Sequence, residues 1–337
     1  MMMLGYSDGQ IRFFLGSTAR YQNACNIAQQ GSDPTPTSCI RFRPNLHPDL
    51  LIDDEYRLKY GGKTLLSVTC DGIINHWNAV TGKLQHSQRE ENSSFYTCDF
   101  SNDGLKYTVA GQDMAIHLYD EVTRQKIRAM TSNGFRMMGH ASRVFCTKFH
   151  PEDPNIVISG GWDKIMKIYD TRVGKPVGQI LGPMVSGDTI DIAGDEIVAG
   201  SNRHTRPLGI YSLSMQKVVT EIAFDPSNYA ESGYIFATRF SRDRDHSLIF
   251  AGGAGRNELK VFDNDTDGNG YFKQLGTFSE TRNAIMCLDV APNGKMVAFG
   301  TGNGQIFVSH FSLTGNEEEP DLRSLKGRIA AANQRGK

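Results

Sequence analysis

Residues 156–170, IVISGGWDKIMKIYD, set a short apolar run against an alternating run across a glycine-rich turn closed by Asp163. Uninterrupted apolar residues followed by apolar/polar alternation ending in Tyr169-Asp170 predict a β-hairpin with one strand more deeply buried than the other. The pattern recurs as LLSVTCDGIINHWN (65–78) and YTVAGQDMAIHLYD (107–120), each with its turn Asp six residues before the closing aromatic: Asp71 before Trp77, Asp113 before Tyr119, Asp163 before Tyr169. Divergent copies follow the same plan. MLGYSDGQIRFF keeps Asp8 and Phe14, AFGTGNGQIFVSH carries Asn303 in place of the Asp, EIVAGSNRHTRPLGIYS ends at Tyr211, and LIFAGGAGRNELKVFD ends at Phe262-Asp263. The equivalent positions Phe14, Trp77, Tyr119, Tyr169, Tyr211, Phe262 and Ser309 recur mostly at 42 to 51 residues, with one interval of 63. Seven hairpins at that period predict a radial repeat of small sheets.

Each hairpin from the second onward is preceded by another alternating segment that closes in turn residues, as in TSCIRFRPN (37–45), FYTCDFSNDG (95–104), RVFCTKFHPEDP (143–154), IFATRFSRD (235–243) and IMCLDVAPNG (285–294). With the segment that leaves each aromatic, these make four strands per repeat. The 35 glycines suit many short strands joined by tight turns. The expected architecture is all-β, a seven-bladed β-propeller of four-stranded antiparallel blades over residues 1–313, followed by a polar and basic tail at 314–337. The first repeat opens on its second strand, so the tail either supplies the missing strand or is a basic extension.

On these residues the chain resembles the WD-repeat family. Gly139-His140 stands ahead of a leading strand, Ser159 lies in the next, Asp163 in the turn, and Tyr169-Asp170 where the family has Trp-Asp. The resemblance implies a buried hydrogen-bonded tetrad of His140, Ser159, Asp163 and Tyr169. Only Trp77 is a true Trp at the Trp-Asp position, with Asn78 after it, and no other repeat shows Gly-His.

Charge and chemistry narrow the function. Lys and Arg number 36 against 37 Asp and Glu, a net charge of −1, which argues against a global field for nucleic acid or anionic membrane. No run approaches the ~18 apolar residues of a membrane-spanning helix. The six cysteines, Cys25, Cys39, Cys70, Cys98, Cys146 and Cys287, form no Cys-x-x-Cys motif, and reduced thiols in a cytoplasmic setting are expected, with nuclear or cytoskeletal association open. Nucleophile elbows, zinc-binding His-Glu-x-x-His and phosphate loops are not found, so no catalytic residue is expected. Asp263, Asp265 and Asp267, followed by Gly268, match the first half of a calcium loop, but Gln274 stands where a bidentate Glu belongs and Gly270 where an apolar residue belongs; a polar hairpin tip is the alternative. Arginines at 203, 206, 239, 242 and 244 read as solvated loops.

The expected role is a non-catalytic scaffold that holds other proteins in a complex, needs no cofactor and is a monomer by itself. The alternative is a calcium- or ligand-sensing propeller using residues 263–270 or a central channel. The resemblance places partner contacts at the residue before each turn Asp (Cys70, Gln112, Trp162) and at the entry to each leading strand. The second class comprises Arg143 with Arg136 nearby, Ser94 with Phe95, Tyr234, and Arg282 with Ala284.

Overall fold

Apolar runs that the sequence leaves unbroken become the middle strands of sheets. In the computed structural model, Thr64–Thr69 and Leu248–Gly253 are buried along their whole length, whereas strands that end a repeat, such as Leu84–Arg89 and Lys126–Met130, are more open to solvent. A middle strand is covered on both faces by the neighbouring sheets and has no polar face to show. The structure describes residues 2–5, 7–8, 10–15, 20–26, 35–44, 64–91, 93–132, 138–203, 205–224, 233–266, 272–292 and 296–310.

The chain divides into two units, 1–179 and 180–337. The first holds a three-stranded sheet of Met2–Gly5, Gln10–Leu15 and Arg20–Asn26, then a four-stranded sheet of Thr37–Phe42, Thr64–Thr69, Ile73–Asn78 and Leu84–Arg89. Its third sheet is Phe95–Phe100, Lys106–Gly111, Ile116–Asp120 and Lys126–Met130; its fourth is Val144–Phe149, Ile156–Gly161, Ile165–Asp170 and Lys175–Leu181, whose last strand runs across the boundary. The second unit holds Ile190–Ala193, Glu196–Gly200, Leu208–Ser212 and Lys217–Ile222; then Ile235–Phe240, Leu248–Gly253, Leu259–Thr266 and Phe272–Phe278; then Ile285–Val290, Met296–Thr301 and Ile306–His310.

The expected seven-bladed architecture is corrected to six blades. Six successive sheets open with a leading strand ahead of the hairpin, and the sheet of residues 2–26 shows none among the described residues. Five of the six are four-stranded, and the last shows three strands among the described residues. The period in the sequence counts hairpins, and a hairpin without a leading strand is not a complete blade. The proposed role of the tail at 314–337 lies outside the described residues.

Adjacent sheets are joined by apolar clusters. In the first unit Leu66, Val68 and Ile74 pack with Phe95, Phe100, Tyr107 and Tyr119, and Ile116, Leu118 and Met130 pack with Val144, Phe149, Val157 and Tyr169. In the second, Ile210 and Ile222 pack with Phe240, Ile249 and Phe262, and Phe250 and Leu259 with Ile285, Val297 and Phe299. Burial at this density supplies the main stabilisation, on the order of 1.5–3 kcal/mol per large side chain.

Polar groups then fix which sheet neighbours which. One position in each leading strand alternates in charge: Arg41, Asp99 and Lys148 in the first unit, Asp191, Arg239 and Asp289 in the second. Arg41 pairs with Asp99 at 3.3 Å, and Arg239 with Asp289 at 3.4 Å and also with Asp188. Asp99 accepts the Phe149 amide at 2.8 Å and Asp191 accepts the Phe240 amide at 2.9 Å, so each carboxylate caps a backbone donor on the next leading strand. Arg239, read from the sequence as part of a solvated cluster, is 3% exposed and belongs to this network, as does Arg242 through Asp191 at 3.4 Å. A second buried set joins the second and third sheets: Arg43 donates to the Gly104 carbonyl at 2.8 Å, and His76 and Arg43 both face Glu121, at 2.9 and 3.7 Å.

A third constraint is a close backbone approach. Each second strand of the third, fourth and sixth sheets ends in a glycine, and a Cβ at Gly111 or Gly161 would collide with the carbonyl oxygen of Ser94 or Arg143, just ahead of the leading strand. Gly161→Ala is therefore expected to destabilise the protein by about 1–3 kcal/mol, read as a lowered urea midpoint with unchanged slope; an unchanged midpoint would show that the leading strand moves freely. Burial pushes the His76 imidazole below its ordinary value of 6.5 despite the Glu121 hydrogen bond. As pH falls below 6.5 the unfolded chain takes up a proton there that the folded chain resists, so stability declines on acidification. His76→Gln should flatten that decline in urea titrations between about pH 7 and pH 5.5; an unaltered slope would assign it to other groups.

Candidate interaction surface

The turn of the fourth sheet is built by a buried imidazole. His140 Nδ1 lies 2.8 Å from Asp163 Oδ2 and its Nε2 2.7 Å from Ser159 Oγ, so one ring ties the segment ahead of the leading strand to the first strand of the hairpin and to its turn. Asp163 Oδ2 also accepts the Ala141 amide at 3.1 Å. Burial works against the Asp163 charge, but hydrogen bonds from His140 and from the Ala141 and Ile165 amides hold its carboxyl below the usual range. The expected fourth member is corrected: Tyr169 is fully buried, its ring lies 6.5 Å from that of His140, and its hydroxyl has no hydrogen-bond partner among the described residues. A phenol places its oxygen on the ring axis, whereas an indole carries its N–H on the side. Trp77 shows the difference, with its Nε1 donating to Ser67 Oγ at 2.9 Å in the second sheet. In the third sheet Tyr119 donates instead to Glu90 at 2.8 Å, and His117 meets the turn residue Asp113 at 2.5 Å.

In five sheets one backbone hydrogen bond joins the hairpin turn to the strand entry, the two places where the sequence put contact residues. The amide of the residue before the turn donates to the carbonyl of the residue entering the leading strand: Cys70 to Pro36 at 3.4 Å, Gln112 to Ser94 at 2.9 Å, and Trp162 to Arg143 at 3.3 Å in the first unit. In the second unit Ala254 donates to Tyr234 at 2.8 Å and Gly302 to Ala284 at 2.9 Å. Trp162, Arg143 and Gln112 are exposed, Trp162 at 40%. In the second unit Arg282 is exposed and Tyr234 half-buried. Arg136 lies outside the described residues.

Phe95 is corrected from contact residue to core: it is fully buried. The cause is a β-bulge at the second residue of the leading strand, between Phe95 and Thr97, which turns Tyr96 outward in its place. The same bulge falls between Val144 and Cys146, between Ile235 and Ala237, and between Ile285 and Cys287, turning out Phe145, Phe236 and Met286. Sequence reasoning missed these residues. Their signal is the pair of consecutive large apolar residues that opens each strand (Phe95-Tyr96, Val144-Phe145, Ile235-Phe236, Ile285-Met286) and breaks the alternation expected of a strand.

In the first unit the turned-out rings form a continuous strip. Tyr96 stacks on Phe145 with centroids 5.0 Å apart and planes 9° from parallel, Phe145 meets Trp162 at 5.0 Å, and the Arg143 guanidinium lies 5.7 Å from the Trp162 ring. Rings at these spacings attract by offset stacking, and the guanidinium by the quadrupole of the indole.

Two of the three acidic positions proposed for calcium are described. Asp263 and Asp265 are strand residues, because Leu259–Thr266 continues through them; Asp265 donates its amide to Asp263 Oδ1 at 3.2 Å. Asp267 lies outside the described residues, and among the described residues no three His, Cys, Asp or Glu side chains converge on a metal position.

The unpartnered phenol leads to a contrast. Tyr169→Phe is expected to leave stability unchanged or raise it by up to about 1 kcal/mol, since it removes a buried hydroxyl without a bond, whereas Ser159→Ala should cost about 1–3 kcal/mol by orphaning His140 Nε2. Thermal melts of both variants decide the matter: a large loss in Tyr169→Phe would mean the hydroxyl is bonded.

A family model described as "WD domain, G-beta repeat" matches residues 132–170 and 272–308. The first match spans the His140–Asp163–Ser159 arrangement and Trp162. Among curated proteins, the chain is 29% identical over 147 residues to mouse WD repeat-containing protein 25, covering 42% of this chain and 26% of that protein. It is 27% identical over 218 residues to nuclear distribution protein PAC1 of Komagataella phaffii, covering 58% and 40%. It is 26% identical over 139 residues to a guanine nucleotide-binding protein subunit beta of Arabidopsis thaliana, covering 41% and 36%. The matched region thus spans between about a quarter and two fifths of the length of these relatives. The chain thus carries WD repeats, one matched by the family model in each unit, and six of its sheets follow one plan.

Proposed function

We propose that this protein is a non-catalytic scaffold that binds other proteins within a larger assembly, through the strip formed by Tyr96, Phe145, Trp162 and Arg143. The observation that carries the reading is the strip itself. Three aromatic rings and a guanidinium, the side chains that dominate protein-binding energetics, lie in contact on backbone locked by interstrand hydrogen bonds. A contact surface held in place before binding loses little side-chain freedom when a partner arrives. The relatives support the reading in kind, since one of them is a subunit by its name.

The titratable groups near the strip serve the turns. Asp113 is occupied by His117 and Asp163 by His140, and Ser159, the hydroxyl within reach of His140, is fully buried. A buried hydroxyl on a buried imidazole holds a turn in place, and a substrate has no approach to it.

Trp162→Ala should weaken partner binding by about 30-fold, the factor that corresponds to the ~2 kcal/mol of an interface anchor. Affinity purification of the wild-type chain and the variant, followed by mass spectrometry, checks this. The far-ultraviolet spectrum and melting temperature should stay close to wild type. Co-purifying proteins that are retained in full by Trp162→Ala and by Arg143→Ala would remove the strip as the binding site.

A further inference from the structure

The charges around the aromatic strip specify the chemistry of the partner, an inference that rests on the scaffold reading above. The turn carboxylates of the first unit's sheets are spent internally: Asp71 accepts from Thr69 Oγ1 at 2.5 Å and faces Arg89 at 3.4 Å, Asp113 meets His117 at 2.5 Å, and Asp163 meets His140 at 2.8 Å. The cations beside the rings are not. Arg143 and Lys164, two residues beyond Trp162, are both exposed, and neither makes an ion pair with a carboxylate among the described residues. The surface therefore shows aromatic area and uncompensated positive charge.

Arg143 is suited to a carboxylate by the way it is already held. A cation–π contact engages the flat face of a guanidinium and leaves the N–H donors along its edge, the donors that form a two-point bond to a carboxylate. The contact with Trp162 at 5.7 Å holds the guanidinium beside the ring, so part of the ordering cost is met before the partner binds. Exposed ring area beside the guanidinium favours an apolar side chain next to the acid. A nucleic-acid strand also stacks on aromatic rings, but it needs a track of cations for its phosphates, and the net charge of −1 with two free cations here does not supply one.

We infer that the partner presents an acidic segment with an apolar anchor, its carboxylate bound to the edge of the Arg143 guanidinium and its apolar side chain laid on Tyr96, Phe145 and Trp162. Lys164 adds longer-range attraction, and binding weakens as salt is raised.

Selection of a displayed library of random peptides on the full-length chain tests this, with Trp162→Ala and Arg143→Glu as parallel targets. Peptides carrying Asp or Glu beside Leu, Met or an aromatic residue are expected to be enriched on wild type. Synthetic copies should lose about 30-fold in affinity on either variant, with Trp162 fluorescence changing on binding to wild type; Trp77 is 3% exposed and gives a constant background. Enriched peptides that are basic or uncharged yet depend on Trp162 would overturn the acidic chemistry and leave the scaffold reading standing. Enriched peptides indifferent to Trp162→Ala would overturn the site. Failure to enrich any peptide would overturn the proposal, and Trp162-dependent binding of an oligothymidylate strand would replace it with a nucleic-acid ligand.

Discussion

The structure depends on how closely one strand is allowed to approach another at the entry to the leading strands of the third, fourth and sixth sheets. At that point a carbonyl oxygen lies where a side chain of the second strand would begin, and glycine is the residue that leaves the space empty, at Gly111 under Ser94 and at Gly161 under Arg143. The approach lets the next amide, of Gln112 or Trp162, bond to that carbonyl. It also accompanies the extra residue of the bulge, which turns Tyr96 or Phe145 away from the core. The missing methyl group and the bulge thus fall at the same strand entry, where Tyr96 and Phe145 are half-buried.

The hairpins were legible in the sequence because burial on both faces forces a middle strand to be apolar throughout, and Leu65, Val109, Val157, Val198 and Ile249 show that signature. The number of blades was not legible, since the repeat that can be aligned is the hairpin and the leading strands vary more: Thr37 and Ser38 stand where the next leading strand has Phe95 and Tyr96. Phe95 was misplaced for a related reason. A strand with strict alternation puts its first residue on one face and its second on the other, and a bulge changes that parity after one step, which no count of apolar positions reveals. Trp162 and Arg143 were legible as neighbours because turn and strand entry are joined by backbone hydrogen bonds whatever the side chains are. Tyr169 was misread because a resemblance of position was taken for a resemblance of donor geometry.

Apolar burial holds the sheets together but discriminates poorly between neighbours, since every sheet offers a similar face of Val, Ile, Leu and Phe. The ionic positions discriminate. Asp99 can satisfy Arg41 on one side and the Phe149 amide on the other, and a sheet slipped by one residue would leave a buried carboxylate, guanidinium or amide without its partner. The cost of such a slip, about 1–3 kcal/mol per orphaned group and more where the group is charged, exceeds what a small change in apolar contact could return. Arg239, held between Asp188 and Asp289, does the same in the second unit.

The two tryptophans show how position converts one side chain to opposite uses. Trp77, six residues after its turn Asp, is enclosed with Leu65 and Ile11, and its single polar atom donates to Ser67, so the ring contributes to the core without leaving a donor unsatisfied. Trp162, one residue before its turn Asp, has its backbone committed to Arg143 and its ring against Phe145, leaving much of the indole in water. An exposed tryptophan on a mobile loop would lose conformational freedom on binding and could collapse onto nearby apolar surface. Here the turn is fixed by His140 and Asp163, and the ring is braced between Phe145 and the Arg143 guanidinium. The interactions that restrain the indole are made by residues that themselves face solvent, so a partner that covers Trp162 also covers Phe145 and Arg143. The strip is thus engaged as one surface, and the affinity it provides is a property of the whole stack.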